Sequence, residues 1–399
     1  MKHGKTIRDP IHGNITLSDI ELRLLDTPQL QRMRRIKQNG LCYLIYPAMN
    51  STRFEHSLGV MHLAGRVADH LELGREEKIN LRIAGLLHDI GHCAFSHTSD
   101  AVLNKIGISH EENSIQMIIR TEIADILKEN GINPIEVTEL ITGRGRFGKI
   151  ISSEIDVDKM DYLIRDSYYA GVAYGIIDLE RIIYGMKIIK GEMVINRGSL
   201  EAVESLLISR NMMYQTVYRH HTKRIVESMF SEALNDLLEN GKVGYDEFLL
   251  MDDIDLVYVL RHSGGYSQDI MKRIDERRLF KTFFQENLSA VNENFRKEMY
   301  ENKHKIQERI ADDYGIERGY LLLDTPESKM SEFMIKVEDS DGELRRIDEI
   351  SNLAKVLEKS EIEKLNFCIY APLEEFKKLK NFNAERYIEF EQTRLKRYM

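Results

Sequence analysis

Leu87-His88-Asp89-Ile90-Gly91-His92 is the stretch on which the reading of this 399-residue chain turns. The apolar run from Ile83 to Leu87 leads into it, and the spacing predicts a helix over residues 76–88. At a helix end His88 and His92 lie one turn apart and face the same way. Imidazole nitrogens with a carboxylate between them suit a divalent transition metal better than calcium. A lone His-Asp pair is commonplace, so the surroundings decide what it means.

Working outward, Arg53-Phe54-Glu55-His56-Ser57 stands upstream and Asp156-Val157-Asp158-Lys159-Met160-Asp161-Tyr162 downstream, with Phe95-Ser96-His97 and His110-Glu111 between them. A helix is predicted over residues 58–73, and Thr27-Pro28 opens another with Leu30, Met33 and Ile36 on one face. No proline lies between Pro134 and Pro326, and the periodicity of Leu206, Ser209, Arg210, Met213, Tyr214, Val217 and Tyr218 is helical, which fits a continuous helical bundle. Beyond residue 325 the pattern changes. Residues 334–338 and 365–370 read as short strands, and Asp339-Ser340-Asp341-Gly342 as a hairpin turn.

Composition is that of an ordinary globular protein, and the net charge of -9 argues against nucleic acid as a general partner. Cys42, Cys93 and Cys368 are too few and too scattered for a disulfide framework, which fits a reducing cytoplasm. No run is long enough to span a bilayer, and no apolar signal segment follows Met1. The expectation is a cytoplasmic protein with no membrane partner.

Taken in order, Asp9-Pro10-Ile11-His12-Gly13, Asp26-Thr27-Pro28-Gln29, Arg53 to Val60, His88 to His92 and Asp156 to Lys159 resemble the HD-domain hydrolases. The likeness is to the dNTP triphosphohydrolase (dGTPase-like) branch, in particular its vertebrate SAM- and HD-domain members, and runs from Asp9 to Lys281; a protein lacking the SAM domain is expected. The resemblance implies a mainly α fold, an HD-domain helical bundle over residues 1–325 with its metal core near 50–170, and a small C-terminal α+β lobe over 326–399. It implies metal ligands His56, His88, Asp89 and Asp158 for a divalent transition metal (Fe, Mn, Zn, Ni or Co), with Mg on the substrate phosphates. An open coordination position is what separates such a catalytic site from a structural one.

The implied reaction is attack of water on the α-phosphorus of a dNTP, giving deoxynucleoside and tripolyphosphate. His97, supported by Asp100, would protonate the leaving oxygen, His110 and Glu111 would complete that network, and His92 would contact the α-phosphate. Arg53, Lys159 and Arg210 match phosphate-binding positions; Gln38, Tyr162, Asp166 and Tyr218 match positions that face the sugar. Vertebrate members are assembled and activated by guanine nucleotides. The matching positions are Lys5, Asp26, Gln31 and Arg34, with Arg277 and Lys281 expected one helical turn apart on the activator phosphates. A GTP or dGTP activator and a homo-oligomer, expected as a tetramer, follow from the same likeness.

Two departures stand out: Cys93-Ala94 before Phe95, and Tyr214 where the vertebrate members carry a histidine near the substrate. Gly143 to Lys149 has Walker A spacing, but Ile150 stands where Ser or Thr is needed and the preceding segment reads as a helix, so a P-loop is rejected. The alternatives are an HD phosphohydrolase or phosphodiesterase acting on another nucleotide, and a non-catalytic nucleotide sensor or single-strand binder.

Overall fold

The computed structural model describes residues 5–103, 107–326 and 331–391. The chain forms two compact units. One comprises Met1–Arg219, Val243–Val259 and Met330–Lys355; the other comprises His220–Lys242, Leu260–Lys329 and Val356–Met399. The fold is mainly α with small sheets, and no helix among the described residues is long and apolar enough to cross a membrane.

In the first unit β1 (Lys5–Asp9) and β2 (Gly13–Leu17) form an antiparallel hairpin, followed by α1 (Asp19–Leu25) and α2 (Pro28–Arg32). The layer that carries the chemistry is α3 (Arg53–His70) packed on α4 (Arg75–Leu87). Helix α3 begins at Arg53, ahead of the predicted start at residue 58, because Thr52 and Glu55 form a capping box there. Next come α5 (His97–Leu103), α6 (His110–Arg120), α7 (Glu122–Glu129), α8 (Pro134–Ile141) and α9 (Val157–Ala170). Asp156 caps α9, its side chain accepting from the Lys159 N–H at 2.8 Å.

The bundle expected from residue 134 onward is interrupted. After α10 (Leu179–Gly185) the chain turns back as β3 (Met186–Ile189) and β4 (Glu192–Asn196), joined by Lys190-Gly191, both at positive φ. Val194, Ile195 and Asn196 then pair in parallel register with the distant strand Lys336–Glu338, which also pairs antiparallel with Leu344–Arg346. Of the C-terminal stretch, Met330–Lys355 groups with the first unit and Val356–Met399 with the second. The predicted turn at 339–342 lies between those last two strands, with Gly342 at φ 80°. Helix α11 (Leu200–Met213) passes into a π-helical turn over Tyr214–Tyr218.

The second unit centres on a three-stranded antiparallel sheet in which Asn366–Ala371 lies between Lys281–Asn287 and Leu322–Asp324. Phe295, Ile310, Phe367 and Ile369 are among the buried side chains of its core.

Candidate metal centre

Three helix ends meet at one point, where His56 and His88 are buried and Asp158 is half-buried. His56 lies in the first turn of α3, Asp158 in the first turn of α9, and His88 caps the C-terminus of α4. The α4 helix stops at Leu87, so the His-Asp motif runs through a turn rather than along the helix. Helix α6 holds that turn: Gly91 N–H donates to Ser114 Oγ (2.9 Å), Ser114 Oγ to the His88 carbonyl (3.0 Å), and Asn113 Nδ2 to the Gly91 carbonyl (2.7 Å). A Cβ at Gly91 would lie 2.1 Å from the Ser114 nitrogen.

His56 Nε2 faces Asp158 Oδ1 at 2.9 Å and Asp89 Oδ2 at 3.6 Å. His88 donates its Nδ1 proton to the Gly85 carbonyl (2.9 Å), which leaves a lone pair on Nε2. That Nε2 is buried, 3.3 Å from Asp89 Oδ1 and 3.7 Å from Asp158 Oδ1, yet has no hydrogen-bond partner among the described residues. Ligand atoms of His56, His88 and Asp158 lie within 4.8 Å of one another. Two imidazoles converging on two carboxylates, with an orphaned nitrogen among them, fit a divalent metal. Burial opposes charge on His56, but Asp158 and Asp161 outweigh it and hold it up to about 10. A cation at Nε2 would take the place of that proton.

Around this cluster Arg53 pairs through Nη1 with Asp89 Oδ2 and donates from Nε to Ser96 Oγ at 2.6 Å. Phe95 and Ser96 both take positive φ (56° and 42°), a conformation costly for side-chain residues. Asp253 holds that bend by accepting from the Phe95 N–H (2.7 Å), and Arg32 donates to the His92 carbonyl at 2.7 and 2.9 Å. His92 Nε2 lies 3.4 Å from Asp89 Oδ1. Burial, and then the nearby Arg53 cation, push His92 down to about 3, so its ring is neutral. His92 and His110 stack at 4.1 Å, with Asp100 Oδ1 3.9 and 3.8 Å from their Nδ1 atoms. The side chain of His97 lies outside the described residues, and Glu111 is exposed on α6.

Lys159 directs its ammonium to Asp156 Oδ2 and the Ser153 carbonyl, both at 2.9 Å, so its nearest charge partner is the helix cap. Tyr218 donates its hydroxyl to Asp166 Oδ2 at 2.7 Å, and its ring lies edge-on to Tyr214 (5.1 Å) and Tyr162 (6.4 Å). Burial pushes Asp166 up to about 6, against hydrogen bonds from Asn39 and Tyr218 that lower it. Arg210 is buried, its guanidinium 4.2 Å from the Tyr214 ring centre. Gln38 is buried and its Oε1 has no hydrogen-bond partner among the described residues.

Lys5, Asp26 and Arg34 are exposed; Gln31 donates to the Leu25 carbonyl (2.8 Å) and accepts from Arg34 Nε (3.0 Å), while Arg34 covers the Phe54 ring at 3.6 Å. Asp26 caps the C-terminus of α1, and Thr27 is the N-cap of α2. Arg277 and Lys281 belong to the second unit and do not share a helix turn. The helix Gly265–Asp275 ends before them, Arg277 takes φ 55°, and Lys281 opens a strand. A left-handed residue stops a helix, and the buried Phe280 beyond it draws the chain into the sheet.

Sequence reading assigned no role to Asp161, although it stands three residues after Asp158. It is fully buried against His56, His12 and Arg165. Burial works against its charge, but Arg165, His12 and His56 hold it well below the usual carboxylate range.

Residues 53–166 match the HD domain family, and residues 177–398 match the HD associated region. An uncharacterised protein of Methanocaldococcus jannaschii is 37% identical over 391 residues, covering 96% of this chain and 82% of that one. A Dictyostelium discoideum protein named deoxynucleoside triphosphate triphosphohydrolase SAMHD1 homolog is 31% identical, covering 70% of this chain and 60% of its own. Among solved structures, a hypothetical protein from Aquifex aeolicus superposes with a TM-score of 0.77 at 32% identity, covering 94% of this chain and 98% of that one. With its His-Asp cluster and both matched regions, this chain belongs to the HD-domain family of metal-dependent phosphohydrolases, in the branch that carries the HD associated region.

Proposed function

We propose that the protein hydrolyses deoxynucleoside triphosphates at the α-phosphorus, releasing deoxynucleoside and tripolyphosphate. The observation that carries this reading is the presence, within one unit, of two complementary features. One is the His56, His88, Asp89 and Asp158 cluster, suited to a metal and a phosphoryl group; the other is the Tyr218–Asp166 hydrogen bond, suited to a sugar hydroxyl. The name of the Dictyostelium relative supports it.

A divalent metal held by those four residues would acidify water and polarise a phosphoryl oxygen. The chain's own groups supply the rest. Arg53, seated between Asp89 and Ser96, offers a fixed cation to the attacked phosphate. Neutral His92 donates a hydrogen bond to the same group. The departing 5′ oxygen needs a proton, which falls to His97 with Asp100, His110 and Glu111 as its relay. Lys159 and Arg210 bind the remaining phosphates with Mg, Lys159 by leaving Asp156. Asp166 and Gln38 pair with the 3′-hydroxyl, while Tyr162 and Tyr218 occupy the space of a 2′-hydroxyl, so ribonucleotides are excluded. GTP or dGTP would act at Lys5, Asp26, Gln31, Arg34, Arg277 and Lys281 within a homo-oligomer, a tetramer in the cytoplasm.

The test is incubation of the metal-loaded protein with all four dNTPs, with manganese or magnesium and with or without GTP, resolved by chromatography. Deoxynucleoside and tripolyphosphate should appear together. Release of neither from any dNTP ends the reading and turns the search to cyclic and monophosphate esters.

A further inference from the structure

The loop Asp9-Pro10-Ile11-His12-Gly13 takes no part in the reaction just described, yet a single side chain connects it to His56. Asp9 Oδ1 accepts from the N–H groups of Ile11 (2.9 Å) and His12 (2.8 Å), and Gly13 leaves the turn at φ 74° so that β1 and β2 pair from Asp9 and Gly13 onward. This turn aims His12 inward. Its Nε2 lies 2.6 Å from Asp161 Oδ1, with the two side chains only 4% and 0% exposed. The other oxygen, Asp161 Oδ2, lies 2.8 Å from His56 Nδ1. Arg165 closes the ring: Nε and Nη2 donate to Asp161 at 2.8 and 2.9 Å, and Nη1 donates to Asp9 at 2.9 Å. Helix α3 admits the carboxylate only because residue 59 is glycine, since a Cβ there would sit 1.8 Å from Asp161 Oδ1. The His62 ring, tilted and 5.3 Å away, backs the ring of His12.

We infer that His12 is a positioning residue for the metal site, acting through Asp161 to fix the tautomer and ring plane of His56; this rests on the metal reading above. An imidazole can offer Nε2 to a cation only while its proton sits on Nδ1, and a carboxylate at Nδ1 enforces that state. Asp161 has one oxygen for His56 and one for His12. Removal of His12 leaves Oδ1 with Arg165 Nη2 alone, so the carboxylate is free to turn toward the guanidinium and to withdraw Oδ2 from His56. The N-terminal hairpin is in this sense a third layer of the metal centre.

The experiment is competition for Mn2+ between the full chain and a chelator, read by elemental analysis, with thermal unfolding measured in parallel. His12→Ala should weaken Mn2+ binding about 10–100-fold. His12→Gln, whose amide nitrogen reaches roughly as far as Nε2, should restore it to within about threefold, and His12→Asn, which falls short, should not. A hairpin that merely supports the fold would lower the melting temperature of all three variants and leave the Mn2+ affinity of the folded protein unchanged. That result, or equal affinities for Gln and Asn, overturns the inference even if the alanine variant folds poorly. Absence of Mn2+, Fe2+ or Zn2+ binding by the parent protein defeats the metal reading itself and this inference with it, so the two failures are told apart.

Discussion

His56 and Arg34 mark two extremes in how this protein holds its polar groups. Both nitrogens of His56 face carboxylates inside the unit, and it is fully buried. Arg34 lies on the surface, held by Gln31 and by the face of Phe54. The buried set has no water to fall back on, so the loss of one member leaves its partners uncompensated. The exposed set can lose a member and be rehydrated. The first region is therefore bound up with folding, whereas the second is free to vary.

The strongest test of that contrast is Asp89→Ala, which should abolish turnover, remove bound metal and destabilise the fold by about 3–5 kcal/mol, because Arg53 is left buried without its carboxylate. Elemental analysis and denaturant titration read both effects; an alanine variant as stable as the parent breaks the argument from burial. Next comes Gly91→Ala. Its Cβ would meet backbone of α6, so a loss of about 3 kcal/mol is expected in chemical unfolding, with metal content reduced.

Asp166 sharpens the comparison by pH. Its native value is raised from 3.8 to about 6, so the native state favours the protonated form. The stabilisation from that proton is complete below pH 3.8 and is lost as pH rises to about 6, a change of about 1–3 kcal/mol. Asp166→Asn removes the ionisation. The variant should gain that amount at pH 7.5, gain almost nothing at pH 4, and bind dNTP more weakly. An equal gain at both pH values would mean the carboxylate is not the cause. The smallest effect belongs to Arg34→Ala, which should change unfolding free energy by less than about 1 kcal/mol while weakening any response to GTP. A large loss of stability there would erase the distinction between the two regions.

What the sequence makes legible follows from how local each signal is. The helix pair α3–α4, the start of α2 and the turn near Gly342 announce themselves through periodicity, proline placement and turn residues, all read within a few neighbours. The grouping of His56, His88 and Asp158 was legible only through the resemblance of their motifs to the HD-domain hydrolases. The hairpin β3–β4 was not, because its pairing with Lys336–Glu338 is set by a partner far along the chain. The same holds for Asp161, whose partners His56 and His12 stand 105 and 149 positions away. Arg277 and Lys281 were misplaced for a different reason: four-residue spacing fits a helix, and only the left-handed backbone at Arg277 and the buried Phe280 beyond it end one there.

The π-helical turn at Tyr214–Tyr218 carries a consequence for how the pocket could change over generations. A π-turn holds one residue more than the α-helix would. Each α-helical residue advances the chain by about 100°. Loss of that extra residue would let the helix run on as regular α with Tyr218 still in register with Asp166, whereas the same residue held without a π-turn would swing Tyr218 by roughly that angle away. The turn therefore takes in one residue while the Tyr218–Asp166 hydrogen bond and the His56, His88 and Asp158 cluster, carried on other helices, both stay whole.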